Sequence, residues 1–152
     1  MQDTADIKAI ARRTWEEIFP ACDVAALEEV TDPDVIGHGV RPGEPAGIEG
    51  VKRTMFWLSR VFSDQRWEIH HVIGDGDLVA LHCTHHGSHT GELMGIAPTG
   101  REVSYPYVHI VRFRDGKAVE HWGVRDDMTL MRQLGVLPDR QPAPAAAETV
   151  NR

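Results

Sequence analysis

The sequence predicts one α+β domain, and three observations carry that expectation. Apolar residues recur at helical spacing through residue 62, the period changes to two from Arg66 onward, and glycine-containing turns fold the later segments back on themselves. Helices first and antiparallel strands afterwards is the pattern of an α+β fold.

The first helix starts at Asp3 or Thr4, whose short polar side chains can accept from the unpaired N–H groups of a first turn. Ile7, Ile10, Ala11, Trp15, Ile18 and Phe19 share one face of it, and Pro20 closes the run. Asp23 caps a short second helix over residues 24–30, which TDPD breaks into an extended piece at residues 35–39. Residues 41–47 hold two prolines and two glycines and read as a loop. A third helix follows over about residues 48–62, with Ile48, Val51, Met55, Leu58 and Phe62 as its buried stripe.

In the strand region, Trp67, Ile69, His71 and Ile73 alternate with Glu68, His70 and Val72, because successive strand side chains point to opposite faces. Gly74-Asp75-Gly76-Asp77 turns the chain into residues 78–90, where Val79, Leu81, Cys83 and His85 form the more apolar face. A loop precedes the central strand pair, which opens at Val103. There Tyr105, Tyr107, His109, Val111 and Phe113 share a face that is apolar except for one imidazole. Asp115-Gly116 supplies the positive φ of a tight hairpin turn. Simple alternation along the return strand sets Ala118, Glu120, Trp122 and Val124 on one face, with Asp126 on the same parity where a helix begins near Met128. His121 falls on the opposite face and reads as a structural or interface residue.

The run VHIVRFRDGKAVEHWGVRDDMTLMRQLG, with the upstream GSHTGELMGIAPTGREV, resembles the SnoaL-like polyketide cyclases, or ester cyclases, of the NTF2-like (cystatin-like) superfold. The resemblance covers roughly residues 4–137. It implies a cone-shaped barrel, with N-terminal helices packed on a curved antiparallel sheet that encloses a pocket, commonly in a homodimer or homotetramer. It also implies that Asp126 is the catalytic acid/base, that His109 is a pocket histidine, that His38 points into the pocket, and that residues 95–100 shape its mouth. No metal is implied.

From its position before a helix, Asp126 reads first as a cap, as does Asp127; the resemblance favours catalysis for Asp126. In an apolar pocket its pKa would rise toward the working pH, while the neighbouring Arg125 would lower it. His109 would hydrogen-bond or protonate the oxygen on which negative charge develops. Tyr105, Tyr107 and Trp122 are assigned to the pocket wall, His85 and Phe56 to substrate contact. The expected reaction is a cofactor-free, aldol-type ring closure on an apolar small molecule. Isomerisation, hydration or epoxide opening by the same pair, a silent ligand-binding protein, and a dimerisation module with a filled pocket are the alternatives.

Composition narrows the rest. A chain of 152 residues with 41% hydrophobic content supports one core, and residues 1–137 are expected to form the domain, with 138–152, rich in proline and alanine, as a flexible tail. A formal charge of -7 argues against nucleic acid or an anionic membrane as partner. Two cysteines without a CxxC pair, and an N-terminus without an apolar signal core, suggest a cytoplasmic protein. Of the nine histidines, His82, His85, His86 and His89 would make a metal set on a helix. A strand splits them between two faces, so no metal is expected.

Overall fold

The computed structural model describes residues 2–39 and 43–139; the expected tail lies largely outside these residues. Helix α1, Thr4–Arg13, is capped by Asp3, whose carboxylate accepts from Ala5 N. The helix runs on through a π-helical turn, Thr14–Ile18, and a short turn α2, Phe19–Ala21, past Pro20, and stops where Cys22 takes a left-handed conformation at φ 51°. Asp23 caps α3, Val24–Val30, by accepting from Ala26 N. Strand β1, Thr31–His38, helix α4, Ile48–Val61, and strand β2, Phe62–Asp75, follow. Strands β3, Leu78–His89, β4, Glu102–Arg114, and β5, Lys117–Arg125, lead into α5, Asp127–Gln133.

One five-stranded sheet has the order β1-β5-β4-β3-β2. All neighbours are antiparallel except β1, which pairs parallel with β5, so the sheet is mixed rather than wholly antiparallel. The helices cover its inner face. Ile7, Ala11, Trp15 and Ile18 meet Met55, Leu58 and Val61 of α4 and the inward residues of β3 and β4, from Val79 and Leu81 to Tyr105 and Phe113. The α+β fold follows from that division: helical stripes and one strand face exclude water together, and the opposite strand face stays exposed. Among the described residues no helix is long and apolar enough to cross a membrane.

Of the sheet's register shifts, two exchange strand faces expected from simple alternation. On β5, Arg112 pairs with Glu120 while Phe113 pairs with Ala118, so Val119 is an extra residue with no partner of its own. Alternation restarts after it, and the face expected from simple parity is exchanged: His121, Gly123 and Arg125 turn inward, while Trp122 and Val124 turn out. A second bulge at His70, between the Ile69–Cys83 and His71–His82 pairs, turns Ile73 out to 65% exposure. The Asp115-Gly116 turn has φ of 49° and 74°, as a tight hairpin requires. The loop at residues 95–100, expected at the pocket mouth, lies elsewhere: Thr99 N and Oγ1 bond His89 Nδ1, and neither hollow described below is lined by it.

Candidate active site

Between the helices and the concave sheet lies a cavity of about 620 Å³, a size that suits a drug-like or polycyclic molecule. Trp15, Phe19, Leu27, Trp57, Trp67 and Phe113 give it apolar walls. The cavity is open space rather than side-chain filling, which removes the basis for a pure dimerisation module. Its polar inner wall comes from β4 and β5, where Tyr107 pairs with Arg125, His109 with Gly123 and Val111 with His121.

The central feature is a pair of imidazoles. His109 Nδ1 lies 3.0 Å from His121 Nε2. His109 is 1% exposed, held between the rings of Trp15 at 3.6 Å and Tyr107 at 4.1 Å, both nearly parallel to it. The π-helical turn at Thr14–Ile18 delivers Trp15 to this stack; such turns recur at functional sites. His121 is half-buried and meets the cavity directly. Loss of solvation, and secondarily the neighbouring His38, pushes its pKa down to about 4. Burial, with His121 and His85 nearby, holds His109 well below the ordinary histidine value. Both rings are therefore neutral at pH 7, and one donates a hydrogen bond to the other.

Tyr107 and His121 converge on a bare patch of backbone. A Cβ placed on Gly123 would stand 2.9 Å from the Tyr107 hydroxyl and 3.2 Å from His121 Cε1. Burial raises the Tyr107 pKa, against an opposing effect of Arg125, so the phenol stays protonated and can donate. Arg125 also lines the cavity, with its Nε donating to Asp127 Oδ1.

The other expected site residues are dispersed. Asp126 caps α5: Oδ1 accepts from Thr129 N at 2.9 Å and Oδ2 from the Thr129 hydroxyl at 2.8 Å, and Asp126 is absent from the lining of the cavity. His38 is exposed at the cavity rim, stacks on Trp122 at 4.8 Å and bonds Glu120 at 2.8 Å. Trp122, expected in the pocket wall, lies on the outer sheet face because of the Val119 bulge. Phe56 is 40% exposed and lies outside the lining, one position from the inward stripe of α4. Tyr105 and His85 are fully buried behind the wall, where the Tyr105 hydroxyl lies 2.5 Å from His85 Nδ1 and Gln65 Oε1 accepts from His85 Nε2. Burial pushes the His85 pKa down to about 3.

His121, Gly123 and Arg125 were the residues that alternation hid, and only knowledge of the bulge could have exposed them. Among the described residues no three His, Cys, Asp or Glu side chains gather as a metal set. His85 and His89 are buried, and His82 and His86 lie on the outer face.

Residues 9–134 match the SnoaL-like polyketide cyclase family. The chain is 32% identical over 105 residues to the nogalonic acid methyl ester cyclase of Streptomyces nogalater, covering 68% of this chain and 75% of that one. Among solved structures, the putative polyketide cyclase IdmH of Streptomyces antibioticus is 33% identical, with a TM-score of 0.75 over 86% of this chain and 99% of that one. The putative hydroxylase AclR of Streptomyces galilaeus is 32% identical, with a TM-score of 0.78 over 91% and 87% of the two chains.

Proposed function

Because the chain belongs to the SnoaL-like polyketide cyclase family, we propose that it closes a ring in an aromatic polyketide by an intramolecular aldol reaction, without a cofactor. The observation that carries this reading is the convergence of His121 and Tyr107 across Gly123 at the wall of an apolar cavity.

In the proposed reaction, His121 Nε2–H donates to His109 Nδ1. That leaves His121 Nδ1, which has no hydrogen bond among the described residues, as a free lone pair. Nδ1 removes a proton from carbon α to a carbonyl, and the C–H electron pair becomes the enolate. The Tyr107 hydroxyl and the Arg125 guanidinium donate to the enolate oxygen, where fixed donors act strongly in a dry site. The enolate carbon attacks a second carbonyl of the same molecule; one C–C bond forms and the carbonyl π pair moves onto oxygen. The resulting alkoxide takes the proton back from His121, which restores the enzyme. His109 is a positioning residue, held by Trp15 and Tyr107, that keeps the His121 ring oriented and shares its charge. The cavity contributes by folding the substrate so that the two carbons meet.

A second assignment places the base at Asp126, and its support is the resemblance of the surrounding motif. The two assignments are separated by substitution rather than by pH, because an ordinary aspartate also titrates at about 4; the pH profile tests His121 alone. With His121 as base, turnover of nogalonic acid methyl ester should be flat near neutrality and fall only as pH drops through about 4. A limb near pH 6 to 7 would sink the His121 assignment.

A further inference from the structure

We infer that Asp127 is a positioning residue for the ring closure, holding the Arg125 guanidinium at the cavity wall so that its terminal N–H groups meet the developing enolate oxygen. The inference rests on the proposed ring-closure reading and deepens it by naming what orients one of its donors.

Two adjacent carboxylates stand at the junction of β5 and α5, and they do different things. Asp126 is fixed on both sides: its N–H donates to Pro106 O of β4 at 3.0 Å, and its carboxylate accepts from Thr129 N and the Thr129 hydroxyl. The Asp127 carboxylate instead turns back across the junction and accepts from Arg125 Nε. That acceptor starts from a backbone tied both to the sheet and to the first turn of the helix, so the point to which Arg125 is fastened is itself held in place.

A free arginine side chain has many rotamers to choose from. Arg125 borders the cavity and also a second hollow of about 540 Å³ beside it, where Arg53, Arg60, Glu44 and Asp127 are the other charged groups. A swing into that hollow would carry its charge away from Tyr107 and His121. The bond at Nε takes one donor of the guanidinium fork and leaves the planar terminal edge, the part that reaches furthest along the side chain, to face a ligand oxygen.

The pair contributes little to folding, since the Asp127 side chain is 55% exposed and that of Arg125 17%. Its effect falls on orientation. Asp127 also acts on the Tyr107 phenol: burial raises the Tyr107 pKa, Arg125 lowers it, and Asp127 raises it again. The carboxylate thus keeps the arginine beside the phenol while offsetting its pull on the phenolic proton.

The test measures kcat and KM for nogalonic acid methyl ester, together with Tm, in the wild type, Asp127→Ala, Asp127→Asn, Arg125→Gln and the double variant Arg125→Gln/Asp127→Ala. Asp127→Ala should lower kcat about tenfold, with KM within about twofold and Tm within a few degrees of the wild type. Asp127→Asn, whose amide oxygen still accepts from Nε, should recover most of that loss. Arg125→Gln should lose more, and adding Asp127→Ala to it should cost nothing further, because the carboxylate acts only through the guanidinium. Wild-type kcat in Asp127→Ala, or losses that multiply in the double variant, would overturn the positioning role and leave the ring-closure reading intact. Full activity in Arg125→Gln would remove Arg125 from the chemistry and Asp127 with it. Absence of turnover by the wild type would overturn the ring-closure reading and the positioning role together.

Discussion

His109 Nδ1 and His121 Nε2 stand 3.0 Å apart on neighbouring strands, twelve residues apart in the chain. Their meeting depends on Val119. Without that extra residue, His121 would face solvent and Trp122 would take its place at the wall. The bulge therefore makes the imidazole pair, and it also brings Gly123 and Arg125 inward.

Histidines with depressed pKa values make stability depend on pH, His85 and His121 among them. His85 and His121 have folded-state values near 3 and 4, below the ordinary 6.5, so the unfolded chain binds their protons first. Their contribution is complete above about pH 6.5 and is lost as pH falls toward 4 and then 3, at up to roughly 1.4 kcal/mol per pH unit for each histidine. Urea unfolding at pH 7, 6 and 5 should show this decline, and His85→Gln should flatten it. An unchanged slope in His85→Gln would contradict the assignment.

Asp126 carries the start of α5, which holds Leu130 and Leu134 in the core. Asp126→Ala removes an acceptor from Thr129 N and should cost about 1 kcal/mol, a fall in Tm of roughly 2–4 °C for a chain of this size. Asp126→Asn keeps a capping oxygen and should melt close to the wild type. Calorimetry on both variants reads this, and equal melting of all three proteins would show that the cap contributes little.

Gly123 is needed for its missing side chain rather than for its backbone, since its φ is not in the left-handed region. An alanine there would push the Tyr107 hydroxyl, 2.9 Å from the new methyl, away from His121. Gly123→Ala should leave Tm within a few degrees of the wild type and lower kcat about tenfold or more, because small displacements of a positioned group are costly. Full activity in that variant would remove Tyr107 from the proposed chemistry.

Much of this organisation was legible in the residues. The inward face of β4, the cap positions Asp3, Asp23 and Asp126, and the Asp115-Gly116 turn all follow from short-range rules, and the structure has them. The faces of β5 and of the far half of β2 were not legible. A bulge leaves no mark in composition; Val119 and His70 are ordinary strand residues, and which of them is left unpaired depends on how the whole sheet curves around the cavity. The parallel pairing of β1 with β5 is similarly long-range, since it joins residues more than eighty positions apart. Phe56, expected at the substrate, is misplaced for a different reason: on a helix, one position is enough to move a side chain from the buried stripe to solvent.

The most direct test of the central claim compares kcat/KM of His121→Gln and Asp126→Asn with that of the wild type. The substrate is nogalonic acid methyl ester, the one used in the pH test above. With His121 as the proton carrier, His121→Gln should lose about a hundredfold or more, while Asp126→Asn stays within about threefold, since an asparagine still caps α5. Collapse of Asp126→Asn at an unchanged Tm, with His121→Gln still active, would contradict the account and return the base to Asp126.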